Sequence, residues 1–202
     1  LSYISTVIAI AIPLIYMPVM IRLLGKSEYG LYSLVSSVVS YLSLFSLGFT
    51  GAYVRFFAKS CNNKEKLASL NGMFLTLFSI LAALAAICGF ILSFFLEQIF
   101  GSKLSDLELA KARILMIILV INIAISLISG MFDSIIGAYE QLIFQRIAGL
   151  ISSIVNPFIC LPLLLLGHGS VMLVVVTTLI TFVRFVVNVW FCIYKIKIPV
   201  SF

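Results

Sequence analysis

Residues 171–194 read VMLVVVTTLITFVRFVVNVWFCIY, an apolar run whose single formal charge is Arg184. A run of about 18 or more apolar residues with few charges is long enough to cross a hydrocarbon core of about 30 Å. Similar runs recur along the chain in both directions from this one, so the bilayer is the solvent for most of the sequence. The composition agrees, with 63% hydrophobic and 10% charged residues and a mean hydropathy of +1.26. Soluble domains are nearer half apolar and a quarter charged. The expected architecture is an all-α membrane protein, a bundle of about six transmembrane helices at residues 2–21, 30–57, 68–96, 113–137, 146–166 and 171–194.

The first run continues past any cleavage-like site and more spans follow it, which fits a first helix rather than a signal peptide. The chain starts at Leu1 instead of a methionine and stops at Phe202 just after a span, so a piece of a longer protein is expected. Short polar links at 22–29, 58–67, 97–112, 138–145 and 167–170 separate the spans. Only the third is long enough for structure of its own, and a short interfacial helix is expected at 104–112. Pro13 and Pro18 in the first span and Pro157 and Pro162 in the fifth read as tolerated kinks, because neighbouring helices can satisfy the carbonyls that proline frees.

Orientation follows from the cations. An N-terminus in the cytoplasm puts Arg55, Lys59, Lys64, Lys66, Arg146, Lys195 and Lys197 inside and Arg22, Lys26, Lys103, Lys111 and Arg113 outside. The formal charge of +6 is scattered over these loops. Orientation and anionic lipid head groups therefore account for it better than nucleic acid does, and no nucleic-acid partner is expected. Cys88, Cys160 and Cys192 lie in apolar runs and Cys61 in a basic loop, with no metal or redox spacing. They read as small buried hydrophobes. His168 stands alone in a Gly-His-Gly-Ser turn, without a partner to make it a catalytic base. No Asp-x-Asp, Walker-type or zinc signature occurs, so neither enzyme chemistry nor an ATP or metal cofactor is expected.

The even-numbered spans carry polar stripes at helical spacing. Ser33, Ser37, Ser40, Gly48, Gly51 and Arg55 share one arc of the second, opposite Leu31, Val35, Val38, Leu42, Phe45, Phe49 and Phe56. Asn122, Ser126, Ser129, Asp133 and Gly137 do so in the fourth, opposite Val120, Ala124, Leu127, Met131 and Ile135. Thr177, Thr181, Arg184 and Asn188 do so in the sixth, opposite Leu179, Phe182, Val186, Val189 and Ile193. The apolar arcs are expected to meet lipid and the polar arcs protein or water. Serine and glycine alone would signal close helix packing. Charges are another matter, since an Arg or Asp at the bilayer centre costs about 2.5 to 3.5 kcal/mol on insertion scales and is seldom kept for packing alone. Arg184 lies ten residues from the end of its run, about 15 Å at 1.5 Å per residue and too deep to snorkel comfortably. Two structural explanations stand beside a functional one: snorkelling of Arg55 and Asp133 to the interface, and an Asp133–Arg184 ion pair. The functional expectation is a hydrated cavity for an anionic substrate lined by Arg55, Arg184, Asp133, Asn188 and Asn122.

Arg22-Leu23-Leu24-Gly25-Lys26-Ser27-Glu28-Tyr29-Gly30-Leu31-Tyr32 joins the first two spans, and the second holds Leu47-Gly48-Phe49 and ends Val54-Arg55-Phe56-Phe57-Ala58. With the later Gly137-Ala138-Tyr139-Glu140 turn, this resembles Wzx-type O-antigen flippases of the multidrug/oligosaccharidyl-lipid/polysaccharide exporter superfamily. The motif residues are Arg22, Gly25, Tyr29 and Gly30. Its physical sense is a tight reversal permitted by glycine, anchored by an interfacial cation and aromatic. The resemblance implies the N-terminal lobe of a two-lobe transporter of 12 to 14 helices. It implies a substrate that is an oligosaccharide repeat unit on undecaprenyl diphosphate, flipped across the bacterial inner membrane for O-antigen, capsule or exopolysaccharide. Membrane lipids, a C-terminal lobe and polysaccharide polymerase machinery are the implied partners. A cation-coupled drug antiporter of the same superfamily, with Asp133 as its carboxylate, and an inactive truncated fragment are the alternatives. Related lipid-linked precursors such as lipid II are chemically close to the expected substrate.

Overall fold

The computed structural model describes residues 2–46, 48–61, 63–100, 104–167 and 169–198, which leaves Leu47, Lys103, His168 and the Phe45 side chain outside the described residues. Helix is the rule throughout: α1 (Ser2–Ser40), a 3₁₀ segment (Tyr41–Ser46), α2 (Phe49–Ser60), α3 (Lys64–Phe100), α4 (Asp106–Ala138), α5 (Leu142–Leu165), α6 (Gly169–Trp190) and a π-helical extension (Phe191–Ile196). Among the described residues five stretches are long and apolar enough to cross a membrane, and the first of them, Ile10–Ser60, takes in the second expected span and the latter half of the first.

Gly25 divides that stretch, with φ 77° and ψ 162°, a conformation open essentially to glycine alone. Tyr16, Met20 and Leu23 before it and Tyr29 and Tyr32 after it pack into one cluster with Cys160, Leu164 and Leu173. The chain therefore folds back on itself at Gly25, as the motif predicts. Farther along the second arm, Leu31, Val35, Val39 and Leu42 turn to α3 and α4.

Two ends of the polar links became helix starts. Asn63 Oδ1 accepts from Glu65 N at 3.0 Å and Lys66 N at 3.2 Å, capping α3. Ser105 and Glu108 form a reciprocal capping box at α4. Because that cap leads straight into α4, the separate interfacial helix expected at 104–112 does not exist; these residues open α4. The second span departs further from expectation. It is interrupted by the 3₁₀ segment and by Gly48 at φ 83°, so the 100° stripe from Ser33 to Arg55 is not continuous.

α4 lies at the centre and packs against all the other helices. One buried cluster joins Leu31, Val35 and Leu42 to Ala82, Ala85, Leu115 and Val120. A second joins Tyr53 of α2 to Phe74, Phe78, Met131, Ile135 and Phe191, with the Tyr53 hydroxyl donating to Asn71 Oδ1 at 2.8 Å. Glycine at position 89 permits the α3–α4 contact, since a Cβ there would overlap both γ-methyls of Val120.

These clusters correct the lipid-facing arcs. In the sixth span Leu179, Phe182, Val186 and Ile193 are exposed on the outside of the bundle, as expected, while Val189 of the same arc is partly buried against the second core cluster. In the second and fourth, however, Leu31, Val35, Leu42, Val120, Leu127, Met131 and Ile135 are buried in the core. The cause is that lipid tails are as apolar as leucine, so an apolar face has no preference for lipid over another helix.

Candidate functional site

The polar stripes of α4 and α6 face each other. Asn122 Nδ2 donates to Thr181 Oγ1 at 3.0 Å and Thr178 Oγ1 at 3.4 Å. Toward the other end of the contact, Asn188 Nδ2 donates to Ser129 Oγ at 3.3 Å and Asp133 Oδ1 at 3.0 Å. Partners advance in the same direction on both helices, so α4 and α6 run parallel and α5 returns between them. Arg184 Nη2 reaches Asp133 Oδ2 at 3.4 Å, with side chains 36% and 30% exposed. The pair is looser than the 2.7–2.9 Å of a tight N–H···carboxylate bond. Arg184 Nε is buried and has no hydrogen-bond partner among the described residues.

Of these groups Ser129, Asp133, Thr181 and Arg184 line one side of a cleft of about 730 Å³ between α4, α5 and α6, with Ile10 of α1 on its wall. Asn122 and the buried Asn188 stand behind that wall in the α4–α6 contact and do not line it. From α5 the cleft receives Gln145, Arg146, Gly149, Ser152, Ser153 and Asn156. Gln145 Nε2 donates to the Asp133 carbonyl. Asn156 Oδ1 accepts from Thr177 Oγ1 at 3.4 Å and from Cys160 Sγ at 3.1 Å. Charged lining residues are Asp133, Arg146 and Arg184, so cations outnumber anions. Arg184 stands near the middle of Gly169–Ile196, whereas Asp133 is five residues, about 8 Å, from the end of α4. The cleft thus occupies the half of the bundle near the α4–α5 turn.

The structure brings together four of the residues singled out from sequence, Asn122, Asp133, Arg184 and Asn188. Asp133 and Arg184 make the ion pair weighed as a structural explanation, and Arg184 also lines open space. Arg55 is elsewhere: it is exposed on α2 and is not part of the cleft wall. Sequence reasoning missed α5. The spacing 145, 149, 152, 156 is as regular as the stripes on the even-numbered helices and was there to be read.

At the opposite end of the bundle the motif makes a clasp. Glu28 Oε1 accepts from Ser170 N at 3.0 Å and Ser170 Oγ at 3.1 Å, and pairs with Lys111 at 3.6 Å. Ser27 Oγ donates to Glu108 Oε1 at 2.7 Å. Burial alone raises the Glu28 pKa, but the Ser170 donors and Lys111 outweigh it and hold the carboxyl below its ordinary 4.5. The backbone N–H of Ser105 foremost, with the Ser27 and Ser105 hydroxyls, lowers that of Glu108 as well. The motif turn thereby fastens α1 to the first turns of α4 and α6.

No curated protein and no solved structure matches the chain. Membrane-length helices, a hairpin at Gly25 and a polar cleft within the bundle are the features that a family match has to accommodate, and one family model runs through all of them from residue 1 to 202. The chain is a multi-pass, all-α membrane protein that belongs to the polysaccharide biosynthesis protein family.

Proposed function

We propose that this chain is the N-terminal lobe of a carrier, not an enzyme, that moves an oligosaccharide linked to undecaprenyl diphosphate from the inner to the outer leaflet of the bacterial plasma membrane. Its membership of a polysaccharide biosynthesis family supports the class of cargo. The observation that carries the reading is Arg184, set in the wall of a cleft within membrane-length helices and only loosely held by Asp133. A diphosphate oxygen could displace that carboxylate with a shorter, charge-assisted bond to the guanidinium. Arg146 of α5 adds a second cation to the lining of the same cleft. With the N-terminus in the cytoplasm, the α4–α5 turn also lies there, so the cleft is placed to load from the inner leaflet while the Glu28 clasp holds the far end shut. A drug antiporter would need a carboxylate available to a cation or proton, and Asp133 is engaged by both Arg184 and Asn188.

The test is complementation of a flippase-deficient bacterium with a matched repeat unit by a full-length gene that encodes both lobes, this chain being the first. Restored surface polysaccharide is the expected result. Correct membrane insertion with no restoration would count against the flippase reading.

A further inference from the structure

Beside the polar cleft, on the outer side of the α5–α6 pair, runs a second and almost wholly apolar groove of about 450 Å³. The two adjoin at Ser152, Ile180 and Arg184, which line both. On α5 the groove extends from Phe144 to Ile159 and on α6 from Val176 to Val187, about 22 and 16 Å of helix at 1.5 Å per residue. It therefore follows the helix axes for half or more of a hydrocarbon core about 30 Å thick. Its exposed wall residues are aliphatic, Ile151 and Val183 among them.

We propose that this groove seats the hydrocarbon chain of an anionic lipid whose head group lies in the polar cleft, with Arg184 at the junction of the two. The inference rests on the carrier reading and adds to it where the tail goes. A molecule matched to both spaces has an anionic, hydrogen-bonding head and a long chain leaving it sideways between α5 and α6. Such a molecule need not strip its tail from an apolar medium to enter. Since lipid tails and the groove are about equally apolar, the groove supplies little binding energy of its own. It supplies registration: it holds the chain so that the head meets Arg184. Blocking the groove should then weaken head-group capture even though no polar group has changed.

The full chain in phosphatidylcholine nanodiscs, labelled with a polyprenyl diphosphate carrying a benzophenone on its chain, tests this. Adducts are expected on α5 and α6 along the groove, competed by undecaprenyl diphosphate and not by phosphatidylglycerol. Filling the groove with Val183→Trp, at a position 59% exposed and so tolerant of bulk, should cut labelling by at least about fivefold. Leu84→Trp on the outside of α3 should leave it unchanged. Adducts spread equally over α3, equal competition by phosphatidylglycerol, or full labelling of Val183→Trp would each overturn the groove. If Val183→Trp labels normally while Arg184→Gln loses diphosphate-specific labelling, the groove falls and the carrier reading stands. Absence of any diphosphate-specific labelling overturns both.

Discussion

Gly25 and Glu28 show how single residues of the motif set the turn. At φ 77° and ψ 162° any side chain is strained even though the surrounding space is open, so Gly25→Ala should cost about 1–3 kcal/mol. A lowered thermal midpoint in detergent, with helix content retained, is the expected observation. Glu28 makes a pH-dependent contribution. Its folded pKa lies below the ordinary 4.5, so the stabilisation is fully present above about 4.5 and is lost as pH falls through the lower folded value. Thermal unfolding followed downward from neutral pH should show the wild type losing stability more steeply than Glu28→Gln below about 4.5. Parallel curves would mean that the clasp carries no weight. The motif was legible as a turn from its glycines and its interfacial residues. That Glu28 would reach Ser170 was not, because the partner is 142 positions away and no local pattern encodes it.

Among the elements, α4 explains most of what could and could not be read. Its length and apolarity announced a span, but not that it would sit at the centre with Leu127, Met131 and Ile135 buried. Periodicity finds faces; in lipid it does not say which face is inside, since burial among helices and exposure to tails are nearly equivalent for leucine. Only the polar stripes carried direction, and those of α4 and α6 met at Asn122, Asp133, Arg184 and Asn188. The stripe of the second span failed because Gly48 breaks the helix, and a rotation angle cannot be carried across a break. The α3–α4 seam offers a direct test. Gly89→Ala should destabilise the bundle by about 1–3 kcal/mol through overlap with Val120. Val120→Ala in the same chain should recover part of the loss, measured as the non-additivity of the two thermal midpoints. Additive losses would mean that the helices do not meet there as described.

For the whole molecule, the two ends of the bundle differ in kind. One is fastened by Glu28, Ser170, Lys111 and the Ser27–Glu108 bond. The half toward the other end holds a cleft of about 730 Å³ whose charged groups are Asp133, Arg146 and Arg184. Under the proposed function, that arrangement is what a carrier loading a polar head from one leaflet would need. In the proposed carrier the Asp133–Arg184 pair is the element the substrate would exchange with, because at 3.4 Å it is longer than a tight charge-assisted bond. The most direct test is surface polysaccharide in the flippase-deficient strain carrying Arg184→Ala. The expected result is a drop of at least about tenfold, equivalent to ~1.4 kcal/mol, at an unchanged level in the membrane, with Arg184→Lys retaining part of the activity. Wild-type polysaccharide from Arg184→Ala at that same level would contradict the account.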